Sequence, residues 1–90
     1  MKGDRTPGRR LPDQRGPPLG LEPGDYAWNA ATGRWWVSTP NGIVGPIYEP
    51  EWTVTLHEDR TISVFPSIDA DGGDGLRWHG WLKRGNWEEA

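Results

Sequence analysis

The candidates for covalent or acid–base chemistry in this 90-residue chain are His57, Ser67 and His79. A serine becomes a nucleophile when an imidazole within hydrogen-bond reach takes its proton. Ser67, or a threonine, paired with His57 or His79 is the catalytic arrangement these residues allow. The two histidines lie 22 residues apart on separate strand candidates. Each also fits as a strand or turn residue making one structural hydrogen bond. The same imidazoles with Glu58 or Asp59 would be the donors of a zinc site, but two histidines are few for that purpose and the chain has no cysteine. The acidic run Asp69-Ala70-Asp71-Gly72-Gly73-Asp74-Gly75 invites a calcium reading. Counted from Asp69, an EF-hand loop needs an oxygen ligand at position 5, glycine at 6 and glutamate at 12, where this chain has Gly73, Asp74 and Gly80. The run is therefore expected to be a mobile, solvated loop, and no metal and no cofactor are expected.

The elements that position these residues follow from composition. Residues 1–24 hold five Pro and five Gly with few large apolar side chains, too little to offset the entropy of ordering them. They form a basic arm, disordered or extended, ahead of a small β domain at 25–90. About 66 residues make a marginal core, and without disulfides the burial must come from aromatic rings. All seven Trp, both Tyr and the one Phe lie after residue 24, each ring covering about 150–250 Å². The arm carries five cations against three carboxylates and the domain five against ten. An acidic domain argues against nucleic-acid binding by its own surface. No apolar run approaches the length of a membrane span or a signal peptide, so neither membrane insertion nor signal-directed secretion is expected.

Period-two alternation then predicts an all-β fold, a small antiparallel meander or partly open barrel of six to seven short strands. Tyr26-Ala27-Trp28 and Arg34 to Ser38 make a hairpin with Tyr26 opposite Val37 and Trp28 opposite Trp35. Asn41-Gly42 predicts a two-residue turn that sets Val37 against Pro46 and Trp35 against Tyr48, and a turn starting at Pro40 would slip this register by one. Leu56 opposite Ile62 and Val54 opposite Val64 make a third hairpin, with Arg60 in the left-handed position that glycine prefers. In Arg77-Trp78-His79-Gly80-Trp81-Leu82-Lys83, Trp78 and Leu82 face the core and Gly80 leaves room for a ring from a neighbouring strand. His79 and Trp81 face the other way.

Pro23-Gly24-Asp25-Tyr26, Thr39-Pro40-Asn41-Gly42, His57-Glu58-Asp59 with Thr61-Ile62, Pro66-Ser67-Ile68 and Trp78-His79-Gly80-Trp81-Leu82 occur in that order. Together, over about residues 22–88, they resemble a family of small domains of actinobacterial phages and bacteria. Some relatives bind zinc through paired cysteines, near genes of ubiquitin-like conjugation enzymes. The resemblance implies a fold and a phage origin but no activity, and without cysteine no metal role carries over.

The leading expectation is a non-enzymatic protein-interaction module, phage-encoded, acting as a virion accessory or host-interaction protein. Its binding face would be Trp36, Ile43, Ile47, His79 and Trp81, with Arg9, Arg10 and Arg15 of the arm on an acidic partner surface. The partner would be another protein or a second copy, in the host cytoplasm or the virion. Two other readings stay open: an enzyme or enzyme accessory using His57, Ser67 and His79, and a carbohydrate-binding module stacking sugars on Trp36 and Trp81. Trp78→Ala is expected to cost about 3–5 kcal/mol, enough to unfold so small a domain. Trp81→Ala should cost much less, and thermal melts of the two variants check the difference.

Overall fold

The computed structural model describes residues 5–90, and the chain there is strand, turn and loop without helix, as alternation predicts. The arm supplies β1 (Arg5–Pro7) and β2 (Arg9–Arg10). The remainder supplies β3 (Asp25–Asn29), β4 (Arg34–Ser38), β5 (Val44–Ile47), β6 (Thr53–Leu56), β7 (Ile62–Gly73), β8 (Leu76–Lys83) and β9 (Asn86–Glu89). One sheet has the order β1-β9-β8-β7-β6 and the other β2-β3-β4-β5. All pairings are antiparallel except that of β2 with β3. β1 and β6 end one sheet and β2 and β5 the other, so the two sheets do not close into a barrel.

The core lies between the sheets and is largely aromatic. Tyr26, Trp35, Val37 and Ile47 from one sheet meet Ile62, Val64, Ile68, Trp78, Leu82 and Trp87 from the other. Trp78 and Trp87 pack edge-to-face at 5.3 Å, and Trp28 meets Trp35 at 5.7 Å, the geometry in which ring quadrupoles attract. The buried indole of Trp87 donates to the Gly24 carbonyl at 3.0 Å, so its one polar atom is satisfied. The hairpins Tyr26–Val37 and Val54–Val64 have the expected registers, and Arg60 takes φ 73°.

Three expectations are corrected. Trp35 pairs with Ile47 and Val37 with Gly45, one residue away from the preferred register. A type I′ turn needs positive φ at both central residues, but only Gly42 has it, at 91°. Pro40, its φ already fixed for the second position of a type I turn, starts the turn instead, and the Gly42 amide donates to the Thr39 carbonyl. This puts Ile47, expected on a binding face, in the core at 3% exposure. The acidic run is not a loop: Asp69 pairs with His79 and Asp71 with Arg77, carrying β7 out to Gly73. Gly80 admits no ring from a neighbouring strand, because the Trp78 ring of its own strand and the Glu88 carbonyl fill the space a Cβ would need.

The arm takes the extended of the two forms expected of it. It runs extended and docked on the domain, its first four residues lying outside the described ones. Arg5 pairs with Glu88 in β9, and Arg9 with Asp25 in β3, so the arm crosses from one sheet to the other at Gly8. Arg9 donates through Nε and Nη2 to Asp25 at 3.1 and 3.0 Å, and Arg10 lies over Trp35 and donates to the Arg60 carbonyl. Both therefore contact the domain itself, while Arg15 is exposed.

Burial pushes the Asp25 carboxyl up, but the hydrogen bonds and charge of Arg9 and the Glu22 amide outweigh it and hold it below its ordinary value of 3.8. A depressed carboxylate contributes stability that is present above its unfolded value and lost as pH falls through the folded one. The melting temperatures of wild type and Asp25→Asn should therefore converge as pH drops below 3.8. Parallel curves would assign the acid sensitivity to other carboxylates.

Candidate active site

The site begins with an interruption in the β7–β8 ladder. Between the pairs Val64–Leu82 and Ile68–Gly80, β7 has three residues, Phe65, Pro66 and Ser67, where β8 has only Trp81. Proline brings no N–H to the ladder, so a bulge is where it is tolerated within a sheet. Two extra residues preserve the alternation. Val64 and Ile68 both stay buried, and Phe65 and Ser67 turn outward.

Ser67 Oγ lies 3.0 Å from His79 Nε2, and His79 is exposed. The Ser67 carbonyl accepts the indole N–H of Trp52 at 3.3 Å, which pins the backbone behind the hydroxyl. Asp69, opposite His79 in the ladder, accepts from Arg77 at 3.2 Å, and Arg77 also reaches Asp71 at 3.6 Å. On the other side of His79 stands Trp81, half-buried, with ring centroids 6.1 Å apart. Lys83 places its ammonium 5.1 Å from the Trp81 ring and donates to Glu88 at 3.1 Å, which holds that exposed carboxyl below its ordinary range.

A second serine–histidine pair occupies the same outward face. His57 Nε2 lies 2.7 Å from Ser63 Oγ, and the Arg84 amide donates to that oxygen at 2.9 Å. The expected constellation of His57, Ser67 and His79 is thus divided. Ser67 and His79 meet, while His57 takes Ser63, which sequence reasoning missed. The signal was available: with Leu56 opposite Ile62, alternation sets His57 and Ser63 on one face of neighbouring strands. The proposed aromatic face is divided too. Trp36 lies in the other sheet with its indole on Thr32, Ile43 packs against the core beside Gly72, and only His79 and Trp81 share a face.

A cavity of about 620 Å³ lies elsewhere, lined by Arg10, Trp35, Tyr48 and Leu56 among others, and neither pair opens into it. Among the described residues no three His, Cys, Asp or Glu side chains converge as metal ligands, and no helix is long and apolar enough to cross a membrane.

The model of the family described as bacterial ubiquitination-like system serine protease (BubE) matches residues 42–90, just over half the chain. The chain belongs to this family. Both serine–histidine pairs lie inside the matched segment. No curated protein and no solved structure is significantly similar to the chain. The family corrects the leading expectation: its members are named for a serine protease, which overturns the non-enzymatic interaction module and favours the reading built on His57, Ser67 and His79. It also agrees with the resemblance to domains encoded near ubiquitin-like conjugation genes.

The two serines differ in what their oxygens hold. Ser63→Ala takes the acceptor from the Arg84 amide and should cost about 1 kcal/mol. Ser67→Ala removes no backbone bond and should leave the melting temperature nearly unchanged. Thermal melts of both variants check the order, and the reverse order would make Ser67 the structural hydroxyl.

Proposed function

We propose that this chain is a serine protease of a bacterial ubiquitination-like system, with Ser67 as nucleophile and His79 as its base. The observation that supports it is the 3.0 Å contact between the Ser67 hydroxyl and an exposed imidazole, within the segment that matches the protease family. Among the described residues the Ser67 oxygen accepts no backbone N–H, so the hydroxyl is free to donate to Nε2 with the ring proton on Nδ1. Ser63 fits the role less well, because its oxygen already accepts the amide that closes the β8–β9 turn.

In the reaction, Ser67 Oγ attacks the carbonyl carbon of the scissile bond while its proton passes to His79 Nε2. The imidazolium returns that proton to the departing amine as the carbon–nitrogen bond breaks, leaving an acyl ester on Ser67. A water molecule, deprotonated by the same nitrogen, then attacks the ester and regenerates the hydroxyl. His79 is on a central strand, flanked by Asp69 and Trp81, and Ser67 is held from behind by Trp52, so the pair is positioned by the sheet rather than by a loop. On this reading the chain works in the cytoplasm of a bacterium, from a host or a phage gene, and its lack of cysteine suits that compartment.

Treatment with diisopropyl fluorophosphate followed by peptide mass spectrometry should find the adduct on Ser67. Ser67→Ala should remove it, and His79→Ala should slow labelling by about 10²-fold or more. An adduct on Ser63 that persists in Ser67→Ala, with none on Ser67 in the wild type, would move the nucleophile to the other pair.

A further inference from the structure

Ser67 and His79 stand at a boundary in surface chemistry. Along the strands on one side lies an exposed ion cluster of Asp69, Asp71 and Arg77. On the other lie Phe65, Pro66 and Trp81, the residues of the bulge and the one residue opposite them. Phe65 is 71% exposed, more than any other large hydrophobic side chain described. Phe65 pairs with Thr53 of β6 and follows buried Val64, so its outward position is set by that ladder and not by a failure to find the core. Trp81 is half-buried and braced, with the His79 ring on one side and the Lys83 ammonium on the other. Such bracing gives a rigid ring, which loses little freedom when something packs on it.

Resting on Ser67 as the nucleophile, we propose that Phe65 and Trp81 form a specificity subsite that seats a large apolar side chain of the residue next to the scissile bond. The substrate class is then an extended peptide segment with an aromatic or branched aliphatic residue at that position. Placement carries the argument: the apolar surface begins two residues before the nucleophile in β7 and two residues after the base in β8. A side chain adjoining a carbonyl held at Ser67 Oγ reaches this surface directly. The ion cluster on the opposite side would leave the same side chain unpaired against charges, so the apolar side chain has one direction to take. Sugar stacking across Trp36 and Trp81 finds no such support, since those rings belong to different sheets.

Hydrolysis of the p-nitrophenyl esters of N-acetylglycine and N-acetylphenylalanine by the full chain tests the subsite. The ratio of kcat/KM, phenylalanyl over glycyl, should fall about tenfold in Phe65→Ala and in Trp81→Ala and be mostly retained in Trp81→Phe. Phe65 is exposed enough that its variant should melt as the wild type does, which separates a lost subsite from a lost fold. Ser67→Ala should turn over neither ester. Turnover by Ser67→Ala at the wild-type rate would remove the nucleophile, and the subsite with it. An inactive Ser67→Ala with an unchanged ester ratio in both aromatic variants would overturn the subsite alone. So would a dimer that Phe65→Ala and Trp81→Ala dissociate without altering the ratio, because the patch would then be a contact between copies.

Discussion

The carbonyl of Gly24 is the point on which the two sheets depend. It accepts the buried indole of Trp87 at 3.0 Å and the amide of Arg9 at 3.2 Å, while the Gly24 amide donates to Ser38 at 2.9 Å. One residue therefore ties β9 of the first sheet, the arm and β4 of the second. An acceptor left unpaired at such a site forfeits the desolvation of every donor aimed at it. Glycine suits this position because φ is +90°, a conformation that residues with a Cβ rarely adopt. With Gly24 in place, Trp87 is fixed, and Trp87 in turn holds the edge-to-face ring of Trp78.

That aromatic pair sets the outward face from the inside. Trp78 is anchored in the core, and its ring covers Gly80 so closely that β9 lies flush against the backbone of β8. His79 and Trp81, which alternate with these residues, inherit their positions from the packing behind them. On the neighbouring strand the bulge at Phe65-Pro66-Ser67 releases the hydroxyl without disturbing Val64 or Ile68. The site is thus exposed to solvent yet built on the two central and longest strands of its sheet, where a tryptophan core supplies the rigidity that leucine-rich cores supply in larger domains.

Alternation made most of the fold legible. The strands from Tyr26 to Val37 and from Val54 to Val64 are short and joined by tight turns, and a one-residue slip there would invert every side chain. The same logic separated buried Trp78 from half-buried Trp81. It failed at Asn41-Gly42, where the turn's preference competed with Pro40, and Thr39 settled the matter by accepting the Ile43 amide on its own hydroxyl. It failed again at Asp69-Ala70-Asp71, where composition spoke for a loop but the cross-strand cations of Arg77 and the long β8 template held the segment in the sheet. The arm was illegible for a different reason. Its proline and glycine content describes an isolated segment correctly, but the backbone partners at Gly24 and Gly85 that dock it are properties of the folded domain. Ser67 and His79 were visible as residue types, and their pairing required the bulge, which Pro66 hints at but whose two extra residues only the β8 partner reveals.

The pairing of Arg5 with Glu88 joins residues separated by nearly the whole chain. During synthesis the arm leaves the ribosome well before its ladder partner in β9. The hairpins from Tyr26 onward find their neighbours as they emerge, each closing a short loop. The arm has to wait with its backbone solvated, and it can clasp the two sheets only after Glu88 has cleared the exit tunnel. Docking of the arm therefore follows the synthesis of β9, whatever the speed of the hairpins between them.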